Sequence, residues 1–138
     1  MVVDLDLTGR TALVTGAGSG IGRACARRLA ATGATVLVVD VNESAAKEVA
    51  AEVGGRAIGN DLADLDRIAD LPATVDVLVN NAGLQVVAPL TEFPEDRFTL
   101  IQRVMVEAPF RLVKLVLPHM YANGWGRIVN ISSVHGLV

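Results

Sequence analysis

Apolar residues gather along this chain in short unbroken runs, and helical spacing fills the intervals between them. The first run is Thr11-Ala12-Leu13-Val14-Thr15, the second Thr35-Val36-Leu37-Val38-Val39. Between them Ile21, Ala24, Cys25, Arg28 and Leu29 recur at helical spacing, which predicts a helix from about Gly20 to Ala31 with Gly33 placed to end it. After Asp40, either Asn42 or Ser44 can cap a second helix that runs to about Val53 and closes at Gly54-Gly55. A short run at Ala57-Ile58-Gly59 predicts a third strand, Asp64 to Leu71 a brief helical turn stopped by Pro72, and Val75 to Val79 a fourth strand. A long helical pattern then starts at Pro94-Glu95-Asp96 and reaches about Asn123, with Pro109 expected to kink or break it. The turn Gly124-Trp125-Gly126 leads to a last strand, Arg127 to Ile131.

Strands that are apolar throughout, rather than alternating, are covered on both faces. Their regular alternation with helices predicts an α/β fold. It is a doubly wound parallel sheet of the Rossmann type, in three α/β/α layers. In such a sheet the ligand lies at the carboxyl ends of the strands. The segments following those ends are Gly16 to Gly22, Asp40, Asn60-Asp61, Asn80 to Gly83, and Ser132-Ser133. All five are polar or glycine-rich, and the topology turns them toward one crevice.

The first of them carries a definite chemistry. Strand, glycine-rich turn, helix, strand and terminal acid is the order of a mononucleotide-binding unit. The glycines let the backbone turn sharply and approach a pyrophosphate without a Cβ in the way. The helix beginning near Ser19 offers free N–H groups and partial positive charge to that phosphate. Asp40 can accept hydrogen bonds from both ribose hydroxyls of an adenosine. It also stands where the 2′-phosphate of NADP would lie. No Arg or Lys occurs in Thr15 to Gly22 or at Val41 and Asn42, so the expected cofactor is NAD.

Composition narrows the class. The chain has 138 residues, enough for one domain over 1–138, and its 51% hydrophobic content includes only 4% aromatics, as a core of Ala, Val, Leu and Ile requires. A net charge of -3 without a basic cluster argues against nucleic acid and anionic membranes as partners. The start, Met1-Val2-Val3-Asp4-Leu5-Asp6, has acids where a secretory signal has basic residues, and no run reaches membrane-spanning length, so the expectation is cytoplasmic. The single cysteine, Cys25, shares a helical face with Ile21 and Leu29 and reads as a core thiol. No metal site is expected.

The spacing Thr15-Gly-Ala-Gly-Ser-Gly-Ile-Gly22, together with Asn80-Asn-Ala-Gly83, resembles the short-chain dehydrogenase/reductase family over the whole chain. The resemblance implies cofactor contacts at Gly16, Ser19, Gly20, Ile21 and Gly22, with Asp40 on the ribose. It implies Asp61 at the adenine amino group, Leu62 against the ring, and Asn81, Ala82 and Gly83 along the nicotinamide-side ribose. Asn80 is expected to brace the sheet. Ser133 takes the place of the family's serine that hydrogen-bonds the substrate oxygen; the plain structural alternative is a strand-end hydroxyl bonding its own loop. Asn80 to Pro89 and Trp125 to Val138 further resemble the family's 3-hydroxybutyrate branch, which implies that Gln85 and His135 hold a substrate carboxylate. The implied activity is NAD-dependent hydride transfer on a small 3-hydroxy acid, in a homo-oligomer, a tetramer by the resemblance. The alternatives are a 3-oxoacyl carrier-protein reductase or general carbonyl reductase, and a non-catalytic nucleotide-binding module.

Two departures qualify that expectation. The family's Tyr-x-x-x-Lys motif does not occur: Tyr121 is followed four residues later by Trp125, and the lysines are Lys47 and Lys114. The chain therefore reads as the amino-terminal half of a dehydrogenase, with a sheet incomplete at its C-terminal side and no turnover of its own. Met105 falls where the family has a proton-relay asparagine, so either the relay is altered or the helix packs differently.

Overall fold

The computed structural model describes residues 5–134. Five strands form one parallel sheet in the order β3-β2-β1-β4-β5. They are β1 (Thr11–Thr15), β2 (Thr35–Asp40), β3 (Arg56–Gly59), β4 (Val77–Asn80) and β5 (Arg127–Asn130). The helices are α1 (Gly20–Ala31), α2 (Glu43–Val53), α3 (Glu95–Gln102) and α4 (Ala108–Ala122). A 3-10 turn covers Leu65–Asp70, and a π-helical turn, Arg103–Glu107, joins α3 to α4.

The period-two geometry of a strand sorts its apolar residues into two cores. Ala12, Val14, Val36, Val38, Val77 and Val79 face α1 and α2, where they meet Ala26, Ala46, Val49 and Ala50. Leu13, Leu37, Val39 and Leu78 point the other way, to Leu112, Val116 and Met120 of α4 and Ile68 of the 3-10 turn. This is the three-layer doubly wound sheet that the alternation predicts, and its central strands are apolar throughout because both faces are covered. Cys25 and Leu29 pack at the margin of the first core, while Ile21, expected beside them, is 61% exposed.

The ends of the elements follow local chemistry. Asn42, not Ser44, caps α2, its Oδ1 accepting from the Ala45 N–H at 3.1 Å. Gly54 closes the same helix in the left-handed region at φ 63°. Pro109 has no N–H for the Met105 carbonyl four residues back, and its ring would collide with that oxygen in regular α-helix. The wider turn just before it absorbs the conflict, with the Ala108 N–H reaching back to the Arg103 carbonyl.

At the amino ends of the strands Asp76 joins several elements. Its N–H donates to the Thr11 carbonyl at 2.8 Å, and its carbonyl accepts from the Arg127 N–H at 2.9 Å. Its carboxylate accepts from the Thr11 N–H at 2.8 Å and lies 3.2 Å from His119 Nε2 and 3.4 Å from Arg10 Nη1. The guanidiniums of Arg10 and Arg127 both lie over the nearby Trp125 ring, 4.2 and 4.7 Å from its centre. Burial of the Asp76 carboxyl pushes its pKa up, but the Thr11 N–H, His119 and the Arg10 charge outweigh it and hold the value below the ordinary aspartate range. A lowered folded-state pKa favours the folded chain above the unfolded value and loses that contribution as pH falls through the folded value. Asp76→Asn should therefore cost about 1–3 kcal/mol at pH 7. In urea titrations the gap to the unsubstituted chain should narrow below about pH 4. A gap of the same size at pH 3 would show that packing, not the carboxylate, is responsible.

Candidate functional site

The carboxyl ends of β1, β2, β3 and β4 open into a crevice of about 640 Å³. Gly16, Ser19, Gly20, Ile21, Asp40, Asp61, Leu62, Asn81, Ala82 and Gly83 line it. Ten of the residues singled out from the sequence thus share one wall system, although they come from four separate strand ends. Gly22 does not line the crevice; it is buried behind the turn.

Close contacts join the turn after β1 to the turn after β4. Thr15, 1% exposed, accepts from the N–H groups of Asn81 and Ala82 at 3.0 Å through its hydroxyl. The same hydroxyl donates to the Val79 carbonyl at 3.4 Å. Asn81 returns the link, its Nδ2 donating to the carbonyls of Thr15 and Gly16 at 3.0 and 3.2 Å. Asn80, one residue earlier, donates to Asn130 Oδ1 at 2.9 Å and so ties β4 to β5.

Asp40 anchors the other side of the loop. One carboxylate oxygen accepts from the Gly18 N–H and the other from the Asn42 N–H, each at 2.9 Å. The charge therefore sits between the glycine-rich turn and the start of α2, at the crevice wall. α1 begins at Gly20 with φ 53°, and the Ser19 side chain makes no capping hydrogen bond. A Cβ on Gly20 would meet no atom within 4 Å, so that position is open space at the rim. An uncapped helix start, an open glycine rim and an acid across the turn suit a phosphate-bearing, ribose-bearing ligand such as a dinucleotide.

Deeper in the wall, Asn60 donates from Nδ2 to the Arg67 carbonyl at 2.9 Å, while its buried Oδ1 has no partner among the described residues. Leu62 is 6% exposed and belongs to the core as well as to the crevice. Asp61 is exposed, its Oδ1 accepting from the Ala63 N–H at 2.9 Å. Leu84, Leu100 and Val104 also line the crevice and were not singled out beforehand. An apolar helix position carries no mark of whether it faces a core or a cavity.

The residues expected on the substrate side are less enclosed. Gln85 is exposed in the loop after β4, and Ser133 is exposed in the loop after β5. Asn80 pairs with Asn130 in the sheet, and the Ile131 N–H donates to the Asn80 carbonyl at 3.0 Å, so the two loops leave the same end of adjacent strands. His135 lies outside the described residues. No described helix is long and apolar enough to cross a membrane. Among the described residues no group of three or more His, Cys, Asp or Glu is placed to hold a metal.

Known proteins resemble this chain in sequence and fold. The chain is 40% identical over 144 residues to the D-beta-hydroxybutyrate dehydrogenase of Cupriavidus necator, covering 96% of this chain and 56% of that protein. It is 38% identical over 143 residues to the enzyme of the same name from Rhizobium meliloti, covering 94% and 55%. A crystal structure provisionally assigned as a betaketoacyl-ACP reductase superposes with a TM-score of 0.92 at 38% identity, over 96% of this chain and 58% of that one. A provisionally assigned NAD(P)-dependent gluconate 5-dehydrogenase from Beutenbergia cavernae, with NADP bound at low occupancy, gives 0.84 at 42% identity, over 95% and 57%. The chain thus spans about half the length of the curated relatives it matches. Residues 10–138 match the short chain dehydrogenase family, and with the turn after β1, the acid ending β2 and the turn after β4 gathered on one crevice, the chain belongs to that family of oxidoreductases.

Proposed function

We propose that the full-length protein is an NAD-dependent dehydrogenase of a small 3-hydroxy acid, with 3-hydroxybutyrate and acetoacetate as the substrate pair. The observation that carries the cofactor choice is Asp40. Its carboxylate faces the crevice from the end of β2, where it can accept from ribose hydroxyls and repel a 2′-phosphate. Support for the substrate comes from the two hydroxybutyrate relatives and from Gln85 and Ser133 on loops that leave adjacent strand ends.

When bound, NAD would accept a hydride from the carbon bearing the hydroxyl. The chain's own residues have the binding work. Asp40 and the turn Gly16 to Gly22 hold the adenosine and pyrophosphate, with Asp61 and Leu62 at the adenine. Asn81, Ala82 and Gly83 line the far ribose. Ser133 donates to the substrate oxygen, and Gln85 and His135 take the carboxylate. The described groups include no acid–base residue poised for the alcohol proton. The 138 residues by themselves are accordingly expected to bind without turnover. A cytoplasmic homo-oligomer, a tetramer, completes the reading.

A second reading, reduction of a carrier-bound 3-oxoacyl group with NADPH, draws support from the structural neighbours named above. Steady-state kinetics on the full-length enzyme separates the two. Gln85→Ala and His135→Ala should each lower kcat/KM for 3-hydroxybutyrate about ten- to a hundredfold, the cost of one hydrogen bond to a charged group, with NAD affinity little changed. Normal turnover in both variants, or a preference for neutral ketones over keto acids, would favour the reductase. Binding without turnover in the full-length protein would favour a nucleotide-binding module.

A further inference from the structure

Asn60 follows β3 directly and joins three parts of the crevice wall. Its N–H donates to the Asp40 carbonyl at 3.1 Å, which carries the pairing of β2 with β3 one residue further, to the carboxyl ends of both strands. The residue lines the crevice yet is only 4% exposed, and its Nδ2 donates to the Arg67 carbonyl at 2.9 Å. That bond closes the segment from Asn60 to Arg67 into a loop. Within it, Asp61 Oδ1 accepts from the Ala63 N–H at 2.9 Å. The Asp61 carbonyl accepts from the Asp64 N–H, and the Asp64 carbonyl from the Arg67 N–H, each at 3.1 Å. Asp61 and Leu62, both on the crevice, are thus carried by a loop whose two ends meet at one buried amide.

The amide fits only one way round. Turned over, its oxygen would face the Arg67 carbonyl oxygen, two acceptors with no proton between them. In the orientation present, Oδ1 is buried without a partner among the described residues. A buried acceptor left unpaired opposes folding, so what this side chain contributes lies on its donor side, in where it holds the loop. The Ala63 contact occupies one carboxylate oxygen of Asp61 and leaves the second for a ligand.

We infer that Asn60 is a positioning residue that fixes Asp61 at the adenine edge of the crevice and so sets the preference for a purine bearing an amino group. The inference rests on the dinucleotide reading proposed above, in which Asp61 meets the adenine amino group. Aspartate at this position keeps the shape of asparagine, but at neutral pH its carboxylate has no proton to give the Arg67 carbonyl. Alanine loses both the donor and the volume. If the donor is what matters, both substitutions release the loop; if volume alone mattered, aspartate would serve.

The test uses the full-length protein with two probes, NAD and its hypoxanthine analogue, in which a carbonyl replaces the adenine amino group. By calorimetric titration the parent should bind NAD at least about tenfold more tightly than the analogue, the worth of one hydrogen bond to a charged group. In Asn60→Ala and Asn60→Asp that ratio should fall to within about twofold, and in the alanine variant the analogue's dissociation constant should stay within about threefold of the parent's. Adding Asp61→Ala to Asn60→Ala should change little, since the two act on one contact. In the ligand-free protein, amide hydrogen exchange at Ala63, Asp64 and Arg67 should quicken about tenfold in both variants, and exchange at Ala45, held by the Asn42 cap, should not. An equal loss of affinity for both dinucleotides would mark a merely structural role and overturn the inference. So would an Asn60→Asp variant that matches the parent, exchange that stays at the parent rate, or a parent that binds the two probes alike. A parent that binds neither, with the exchange difference intact, would instead overturn the dinucleotide reading and leave Asn60 as the latch of its loop.

Discussion

Gly22→Ala should abolish dinucleotide binding and cost the chain about 1–3 kcal/mol, the usual penalty for overfilling a packed site. The reason is a backbone contact. A Cβ on Gly22 would fall 2.2 Å from the Gly16 carbonyl oxygen and 2.6 Å from Asn81 Nδ2. A long side chain could swing away, but the Gly16 carbonyl is part of the turn and is itself held by Asn81. The turn after β1 and the link to the turn after β4 must therefore move together. Gly20 supplies the control. Its Cβ would meet nothing within 4 Å, and its φ of 53° costs an alanine about 1–2 kcal/mol of conformational strain. Urea denaturation should thus rank the two variants close together, whereas NAD titration should separate them, with binding lost at position 22 and retained in weakened form at position 20. Intact binding in Gly22→Ala would mean that the turn has slack absent from this packing.

Asp40→Ala should raise the NAD dissociation constant about a hundredfold and bring NAD and NADP close to parity without producing a strong NADP site. Each hydrogen bond to a charged group contributes about 1.5–3 kcal/mol, and 1.4 kcal/mol is tenfold in affinity. Asp40 has two such roles in prospect. It accepts from the Gly18 and Asn42 N–H groups, which fixes the turn against α2, and it offers its remaining lone pairs to the ribose. Alanine loses both and also removes the charge that opposes a 2′-phosphate. No cation replaces it: Val41 and Asn42 follow the acid, and Arg23 is paired with Glu52. Asp40→Asn distinguishes the roles, because an amide oxygen can keep the Gly18 contact while the charge is gone. Its NADP affinity should rise as far as alanine's, and its NAD affinity should fall less. Calorimetry that finds the parent binding both cofactors equally would overturn the NAD assignment.

The strands and their order were legible because a doubly covered sheet demands continuous apolar runs, and those runs stop at glycines, asparagines and acids. The limits shifted by a residue or two. Val75 and Asp76 precede β4, which begins at Val77, since Asp76 is occupied with Thr11 at the entry to the sheet. Pro109 announced a disturbance in the long helix, but periodicity does not encode which carbonyl an N–H selects. The π turn, and with it the directions of Val104 and Met105, was therefore unreadable. Leu100 escaped notice for a related reason: an apolar residue on a helix looks the same whether it fills a core or borders a cavity.

What the amino-acid sequence determined by itself is local and periodic. Runs such as Val36 to Val39 specify buried strands, Gly16 to Gly22 specify a glycine-rich turn, and Asp40 specifies where the second strand ends in charge. These follow from backbone sterics and the burial of apolar area within a few neighbouring residues. What only the tertiary structure decided are contacts across long separations. Thr15 meets Asn81 and Ala82 across 66 and 67 residues, and Asp76 meets His119 across 43. A hydroxyl or a carboxylate has many possible partners in a chain. The sheet order, by bringing β1 between β2 and β4, sets which of them lie within reach.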